Sequence, residues 1–193
     1  FEQAAERDPG FSLASASICR ATLELFRATR EPDVYESARE RCEALTELDD
    51  GNAEIHLALA ELYRARGEME SAKREYLETL SLAPDNAEAS MGIASIFMEQ
   101  DDTQRAEEFY LAATRKNPTY WKAHNELAKY YFRVGMYNRA IETFMRVTQL
   151  TPGNSTALSN LGTARLYAGD FSGAFDAWQA ANDVEPSSAT LSN

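Results

Sequence analysis

Four polar residues near the middle of the chain have the spacing of one helix face: Lys122, Asn125, Lys129 and Arg133. Steps of three and four residues bring side chains to the same side of an α-helix. Ammonium, guanidinium and amide groups in such a stripe can hold an acidic side chain or a C-terminal carboxylate by charge-assisted hydrogen bonds. The stripe is therefore the first candidate for a binding site, and an ordinary solvated helix face is the alternative.

Residues for catalysis or metal binding do not form a recognisable set. The two histidines, His56 and His124, lie far apart in the sequence, and there is no glycine-rich phosphate loop and no nucleophile–base motif. We therefore predict no enzyme activity, no metal site and no cofactor. Both histidines are expected to be partly buried packing residues.

The net charge of −12 is distributed unevenly. Residues 121–154 contain five basic and two acidic residues, whereas the other repeat units defined below are acidic. An acidic chain is a poor partner for nucleic acid or anionic lipid, and no apolar run approaches the length that spans a bilayer. We therefore expect a protein or peptide partner, and neither nucleic acid nor direct membrane insertion.

The elements that position the stripe repeat every 34 residues. This spacing separates four prolines, Pro84, Pro118, Pro152 and Pro186, and an alanine and an aromatic residue precede each of them at constant distances. The spacing of the apolar positions predicts two helices in each unit. Glycines that favour a left-handed conformation end three first helices, namely Gly67, Gly135 and Gly169. Residues of good N-cap types precede the units, namely Asn52, Asn86, Asn154 and Ser188, and only Tyr120 breaks this pattern.

These units resemble tetratricopeptide repeats. With units at 53–86, 87–120, 121–154 and 155–188, they match that family's small residue at position 8, alanine at 20, aromatic residue at 24 and proline at 32. The resemblance implies an all-α fold, a right-handed superhelical solenoid of antiparallel helix pairs that forms one array over residues 1–193. Arg165 departs from the pattern, because it replaces the aromatic residue at position 11.

In this family the first helices line a concave groove that docks a segment of a partner protein. The resemblance places ten residues there: Lys122, Asn125, Lys129, Phe132, Arg133, Met91, Ser95, Met98, Ser159 and Thr163. The methionines and Phe132 are expected to give adaptable apolar contact beside the charges. The chain departs from the residue set with which some relatives grip a carboxylate, since Glu126 occupies position 6 of the unit that has Lys122 at position 2.

The residues before Ala53 fit the repeat less closely. Repeat positions numbered backward from Ala53 and forward from Pro9 give two frames that differ by seven residues. We therefore predict that 12–52 is a repeat with a seven-residue insertion near Leu25–Pro32, which lengthens its first helix. Asp33 and Glu36 resemble a capping box for its second helix. Residues 1–11 are expected to end a preceding repeat and 189–193 to begin another, so we interpret the chain as a fragment of a longer bacterial protein.

Cys19 and Cys42 fall at core positions of that first repeat. Two buried thiols suit a reducing compartment, and on that interpretation the location is cytoplasmic. A disulfide between the facing helices stays open, as does a periplasmic location with a membrane segment elsewhere in the protein.

Together these observations predict a non-enzymatic protein–protein interaction module. One alternative is a sensing or scaffolding region of a bacterial signalling protein, such as a kinase, a nucleotide cyclase or a winged-helix regulator. Another is an assembly factor of an envelope machine, such as a pilus or a secretion system. Because a repeat array without polar caps exposes apolar surface at its ends, end-to-end self-association is expected as well.

Overall fold

The computed structural model describes residues 9–185, and these residues form ten α-helices and no strand. The helices are α1 (Pro9–Thr29), α2 (Pro32–Leu48), α3 (Ala53–Arg66), α4 (Met69–Leu82), α5 (Ala87–Glu99), α6 (Thr103–Lys116), α7 (Trp121–Arg133), α8 (Tyr137–Leu150), α9 (Ser155–Tyr167) and α10 (Phe171–Val184). The all-α prediction is therefore confirmed. The predictions made for residues 1–8, for Pro186 and Ser188, and for 189–193 lie outside the described residues.

The helices belong to two compact units, the first ending at Asp102 and the second beginning at Thr103. The first unit contains α1 to α5, and the second contains α6 to α10. Within each unit, successive helices pack against one another across short connections, such as the two residues Gly67 and Glu68 between α3 and α4. Short connections of this kind make neighbouring helices antiparallel. None of the described helices is both long and apolar enough to cross a membrane.

The ends of the first helices follow the predicted chemistry. Asparagine side chains accept backbone N–H groups of the first turn at three N-caps, Asn52, Asn86 and Asn154, whereas Tyr120 provides no side-chain cap. Glycines with positive φ follow three first helices, Gly67, Gly135 and Gly169. Asp101 takes the same left-handed conformation, with φ at 59°, although an aspartate pays a steric cost there that a glycine avoids.

The first helix pair differs from the others in length. Helix α1 has 21 residues and α3 has 14, so α1 is longer by seven. Helix α2 begins at Pro32, with Glu31 as an N-cap residue that makes no side-chain cap bond. The capping box expected at Asp33 is therefore wrong, because the helix begins before that residue.

A disulfide joins the two helices of this first pair. Cys19 of α1 and Cys42 of α2 are bonded, with their Cα atoms 5.4 Å apart, and each residue is only 1% exposed. The expected burial is confirmed, but the interpretation as two separate thiols is wrong. The two cysteines face each other across the helix pair, so the alternative that the sequence left open is the one the structure contains.

Glycine permits very close contacts between helix backbones and aromatic rings. A Cβ atom on Gly92 of α5 would lie 2.2 Å from Cζ of Tyr76 in α4. A Cβ atom on Gly162 of α9 would lie 2.6 Å from Cδ1 of Trp178 in α10. Real Cβ atoms do not approach so closely, so any side chain at these positions would force the helices apart.

His56 is a buried packing residue, as the sequence predicts. Its Nδ1 atom lies 2.8 Å from Oε2 of Glu75, and its Nε2 atom lies 3.2 Å from the carbonyl oxygen of Asp50. Both neighbours are hydrogen-bond acceptors, so only the doubly protonated ring can donate to each of them. The hydrogen bond with Glu75 accordingly raises the pKa of His56, against the opposing effect of burial.

This arrangement predicts a loss of stability with rising pH. A histidine whose pKa is higher in the folded state stabilises the fold fully below the unfolded pKa of about 6.5, and that contribution disappears as the pH rises through the folded pKa. We expect the difference in unfolding free energy between the wild type and His56→Gln to be larger at about pH 6 than at about pH 8. Urea unfolding at the two pH values measures it, and an unchanged difference would contradict the assignment.

Candidate functional site

The basic stripe, Lys122, Asn125, Lys129 and Arg133, lies on the solvent side of α7. Lys122, Lys129 and Arg133 are exposed, and Asn125 is half-buried. The opposite side of the helix is buried and contains Ala123, Leu127, Ala128, Tyr130 and Tyr131. The apolar residues therefore orient α7 so that the polar residues stay accessible, which agrees with the helical spacing of the sequence.

Two tyrosines of the buried side attach α7 to α6. The Tyr130 hydroxyl donates to the carbonyl oxygen of Thr103 at 3.0 Å, and the Tyr131 hydroxyl donates to Oε1 of Glu107 at 3.1 Å. Burial raises the pKa of Tyr131, and the carboxylate of Glu107 adds to the effect. Arg139 also pairs with Glu107 at 2.9 Å and lies over the Tyr131 ring. These bonds hold the stripe on a fixed support.

Glu126 changes the charge balance of the stripe. Both of its carboxylate oxygens lie 2.9 Å from Nζ of Lys129, and one accepts a hydrogen bond from the Asn125 amide at 3.3 Å. Within the described part of the chain, Lys122 and Arg133 form no ion pair. The sequence showed Glu126 only as a departure from a family pattern, although its place three residues before Lys129 is a signal for this pair.

Phe132, at the end of the stripe, belongs to an aromatic cluster with Tyr137 and Tyr167. The ring centroids lie 5.6 Å apart for Phe132 and Tyr137, 5.1 Å for Phe132 and Tyr167, and 5.5 Å for Tyr137 and Tyr167. The cluster brings together the end of α7, the start of α8 and the end of α9. Sequence reasoning missed both tyrosines, because neither occupies a position that the groove assignment considered.

An open cleft of about 510 Å³ lies beside this cluster. We call it the aromatic cleft, and it is lined by Gly135, Met136, Tyr137, Asn138, Arg139, Tyr167 and Ala168. Tyr167 is 58% exposed and Met136 is 43% exposed, so their side chains are accessible from solvent. The cleft lies within the second unit, next to the C-terminal end of the stripe.

The other predicted groove residues are less available. Ser159 and Thr163 of α9 are half-buried, and the Thr163 hydroxyl already donates to the carbonyl oxygen of Ser159 at 3.0 Å. Met91 and Ser95 of α5 are half-buried, and Met98 of that helix is only 6% exposed. These three α5 residues belong to the first unit, whereas the basic stripe and the aromatic cleft belong to the second.

The first unit has a polar surface that its own ion pairs neutralise. Arg20 of α1 pairs with Glu54 of α3 at 2.7 Å, and Arg27 pairs with Glu24 and Glu61. Burial alone would lower the pKa of Arg27, but the two carboxylates outweigh it and raise that pKa. A cavity of about 220 Å³ lies among these residues. An acidic ligand would compete there with carboxylates that are already bound to the arginines.

Metal binding has no support among the residues that the structure describes, since they contain no group of three or more histidines, cysteines or acidic residues placed to hold an ion. The second unit offers exposed cations on one helix and an aromatic cleft at the end of that helix.

Solved structures with a similar fold include three named proteins. The chain is 22% identical to MamA, with a TM-score of 0.70, over 93% of this chain and 96% of that one. It is 19% identical to YrrB, described as a tetratricopeptide-repeat protein with an unusual peptide-binding site, with a TM-score of 0.64 over 89% and 87% of the two chains. It is 17% identical to PilF of Pseudomonas aeruginosa, with a TM-score of 0.72 over 92% and 81%.

Sequence comparison points to the same family. No curated protein sequence matches the chain significantly. Two family models, both described as tetratricopeptide repeat, match residues 57–120 and 109–142. These segments include α4 to α7, and therefore the whole basic stripe. On this evidence, together with the helix pairs of the structure, residues 57–142 of the chain consist of tetratricopeptide repeats.

Proposed function

We propose that the chain is a non-enzymatic protein-interaction module whose basic stripe binds an acidic segment, or a C-terminal carboxylate, of a partner protein. One observation carries this proposal: a helix with three exposed cations lies in the one basic repeat unit, 121–154, of a chain whose net charge is −12. The presence of tetratricopeptide repeats, a family of interaction modules, supports it, and so does the peptide-binding site reported for YrrB.

The free cations would make the first contacts with the partner. Lys122 and Arg133 form no ion pair among the described residues, so a partner carboxylate can approach them without displacing an intramolecular partner. Charge-assisted hydrogen bonds of this kind are stronger than neutral ones. The helical backbone of α7 is already ordered by its packing, so binding costs no backbone entropy there, and only the exposed side chains lose rotamer freedom.

Glu126 would act as a selectivity element. Its exposed ion pair with Lys129 is worth only about 0.3–0.5 kcal/mol, so an incoming carboxylate can take its place at little cost. A neutral segment gains nothing from Lys129, and a basic segment is attracted by Glu126 alone but repelled by the three cations Lys122, Lys129 and Arg133. The stripe would therefore discriminate by charge.

Charge reversal tests the stripe. We expect Lys122→Glu combined with Lys129→Glu to weaken binding of a fluorescent glutamate-rich peptide, and of any partner captured by affinity purification, by about tenfold or more. Arg115→Glu combined with Arg146→Glu is the matched control, because it makes the same change of net charge at exposed residues outside the stripe. Fluorescence anisotropy measures the peptide affinities. Equal affinities for the two double variants would show that the stripe is not the binding site.

The disulfide favours a protein that works in an oxidising compartment. Disulfides persist outside the reducing cytosol, so the Cys19–Cys42 bond supports the periplasmic location and, with it, an assembly role in the envelope. The cytoplasmic location and the role in a signalling protein remain the competing hypotheses, and the redox state of the two cysteines in the cell distinguishes them.

Thiol trapping in intact cells tests the compartment. We expect an alkylating reagent, added as the cells are denatured so that it reaches both buried positions, to leave the cysteines unmodified unless a reductant is added first. Reduction of the purified chain should also lower the unfolding free energy by about 3 kcal/mol, and the double variant Cys19→Ser and Cys42→Ser should not respond to reductant. Alkylation of both cysteines without prior reduction would place the protein in a reducing compartment.

We also propose that copies of the chain associate end to end through apolar helix faces. Helix α10 exposes Phe171 by 71% and Phe175 by 66%, at the spacing of one helix face. The corresponding helix of the preceding repeat, α8, is covered by α9. Its Phe144, which occupies the same repeat position as Trp178 of α10, is only 2% exposed. Helix α1 exposes Ile18 and Leu25 on a face of its own. Pairing two such faces would bury apolar surface that water now contacts.

Sedimentation velocity over a range of concentrations tests this association. We expect the wild type to form larger species as concentration rises, and Phe171→Glu combined with Phe175→Glu to remain monomeric. Met145→Glu, at another exposed apolar residue of the second unit, should behave like the wild type. A wild type that stays monomeric throughout would rule out the association.

A further inference from the structure

The aromatic cleft has the size and the lining of a pocket for one large side chain. Its volume of about 510 Å³ lies within the range of ligand sites in proteins. Tyr137 and Tyr167 line it, and both rings already pack against each other and against Phe132. A further aromatic ring can add to such a cluster in tilted or edge-to-face geometry.

Electrostatics decides the charge of the ligand. Arg139, the one ionisable cation that lines the cleft, is paired with Glu107. Arg133 is exposed next to Phe132 in the sequence and forms no ion pair in the described part of the chain. Arg133 therefore adds an unpaired positive charge at the end of α7, which disfavours a cationic ligand such as a methylated lysine. An uncharged ring that belongs to an acidic segment fits both the cleft and its surroundings.

Geometry gives the spacing within that segment. Phe132 does not line the cleft, but its ring packs against Tyr137 and Tyr167, which do. Lys122 and Phe132 are ten residues apart on one helix, which corresponds to about 15 Å along its axis at about 1.5 Å per residue. An extended peptide covers this distance with about four or five residues at about 3.3–3.6 Å each. The stripe and the cleft can therefore contact two points of the same short segment.

We propose that the aromatic cleft binds an aromatic side chain of an extended acidic segment, whose acidic residues reach Lys122 from about four or five residues away. This proposal rests on the proposed function, since the same partner segment occupies the stripe. It adds the chemical nature of the anchor and its distance from the charges, which together define a sequence pattern in the partner.

Selection from a display library of random peptides on the folded chain tests the pattern. We expect the enriched sequences to combine acidic residues with one aromatic residue at the stated spacing. Enrichment of acidic sequences without an aromatic residue, or of no sequence, would overturn the proposal.

Fluorescence anisotropy with the most enriched peptide then tests the cleft itself. We expect Tyr167→Ala to weaken binding by about tenfold, and Met145→Ala, at an exposed methionine outside the lining of the cleft, to leave the affinity unchanged. A second peptide with alanine in place of the aromatic residue should bind wild type and Tyr167→Ala equally, because the interaction partner of Tyr167 is gone.

The two proposals fail in different ways. If the charge-reversed stripe binds the peptide weakly but Tyr167→Ala binds it as tightly as the wild type, the anchor proposal is overturned and the proposed function stands. If the charge-reversed stripe binds the peptide as tightly as the wild type, the proposed function fails, and the anchor proposal that rests on it fails as well.

Discussion

Close contact between a helix backbone and an aromatic ring is the constraint on which the fold depends. In the first unit, α5 passes so close to the ring of Tyr76 that only a glycine, Gly92, fits between them. In the second unit, Gly162 makes the same kind of contact with Trp178. Overpacking such contacts costs about 1–3 kcal/mol and displaces the elements around them. The contacts therefore limit how α5 can rotate against α4, and α9 against α10, and so which side chains of these helices reach solvent.

The proposed recognition surface depends in the same way on which side of α7 is buried. Since Leu127, Tyr130 and Tyr131 are buried, the cations of α7 are exposed, and the end of the same helix places Phe132 against Tyr167. The two units also differ in how their cations are paired. Arg20 and Arg27 of α1 are paired with glutamates of α3. In the stripe, Lys122 and Arg133 form no ion pair among the described residues. The second unit is thus better prepared for an acidic ligand, because binding there breaks fewer existing ion pairs.

The 34-residue spacing was enough to predict the helices, the asparagine caps and the left-handed glycines, because each of these depends on local sequence. Contacts between distant residues were harder to predict. The Cys19–Cys42 bond requires the two helix faces to meet, and the cluster around Tyr167 joins three helix ends that the sequence does not relate. The start of α2 was predicted wrongly, because the helix begins at Pro32 rather than after Asp33.

Chemical-shift mapping tests the central claim most directly, because it locates the ligand on the surface without mutation. The ¹⁵N-labelled chain would be titrated with an acidic peptide that contains one aromatic residue. The account predicts that the amide signals of α7 and of Tyr167 shift together with peptide concentration, while those of α1 to α4 stay unchanged. Shifts confined to the arginine–glutamate surface around Arg27 and Glu61 would contradict it.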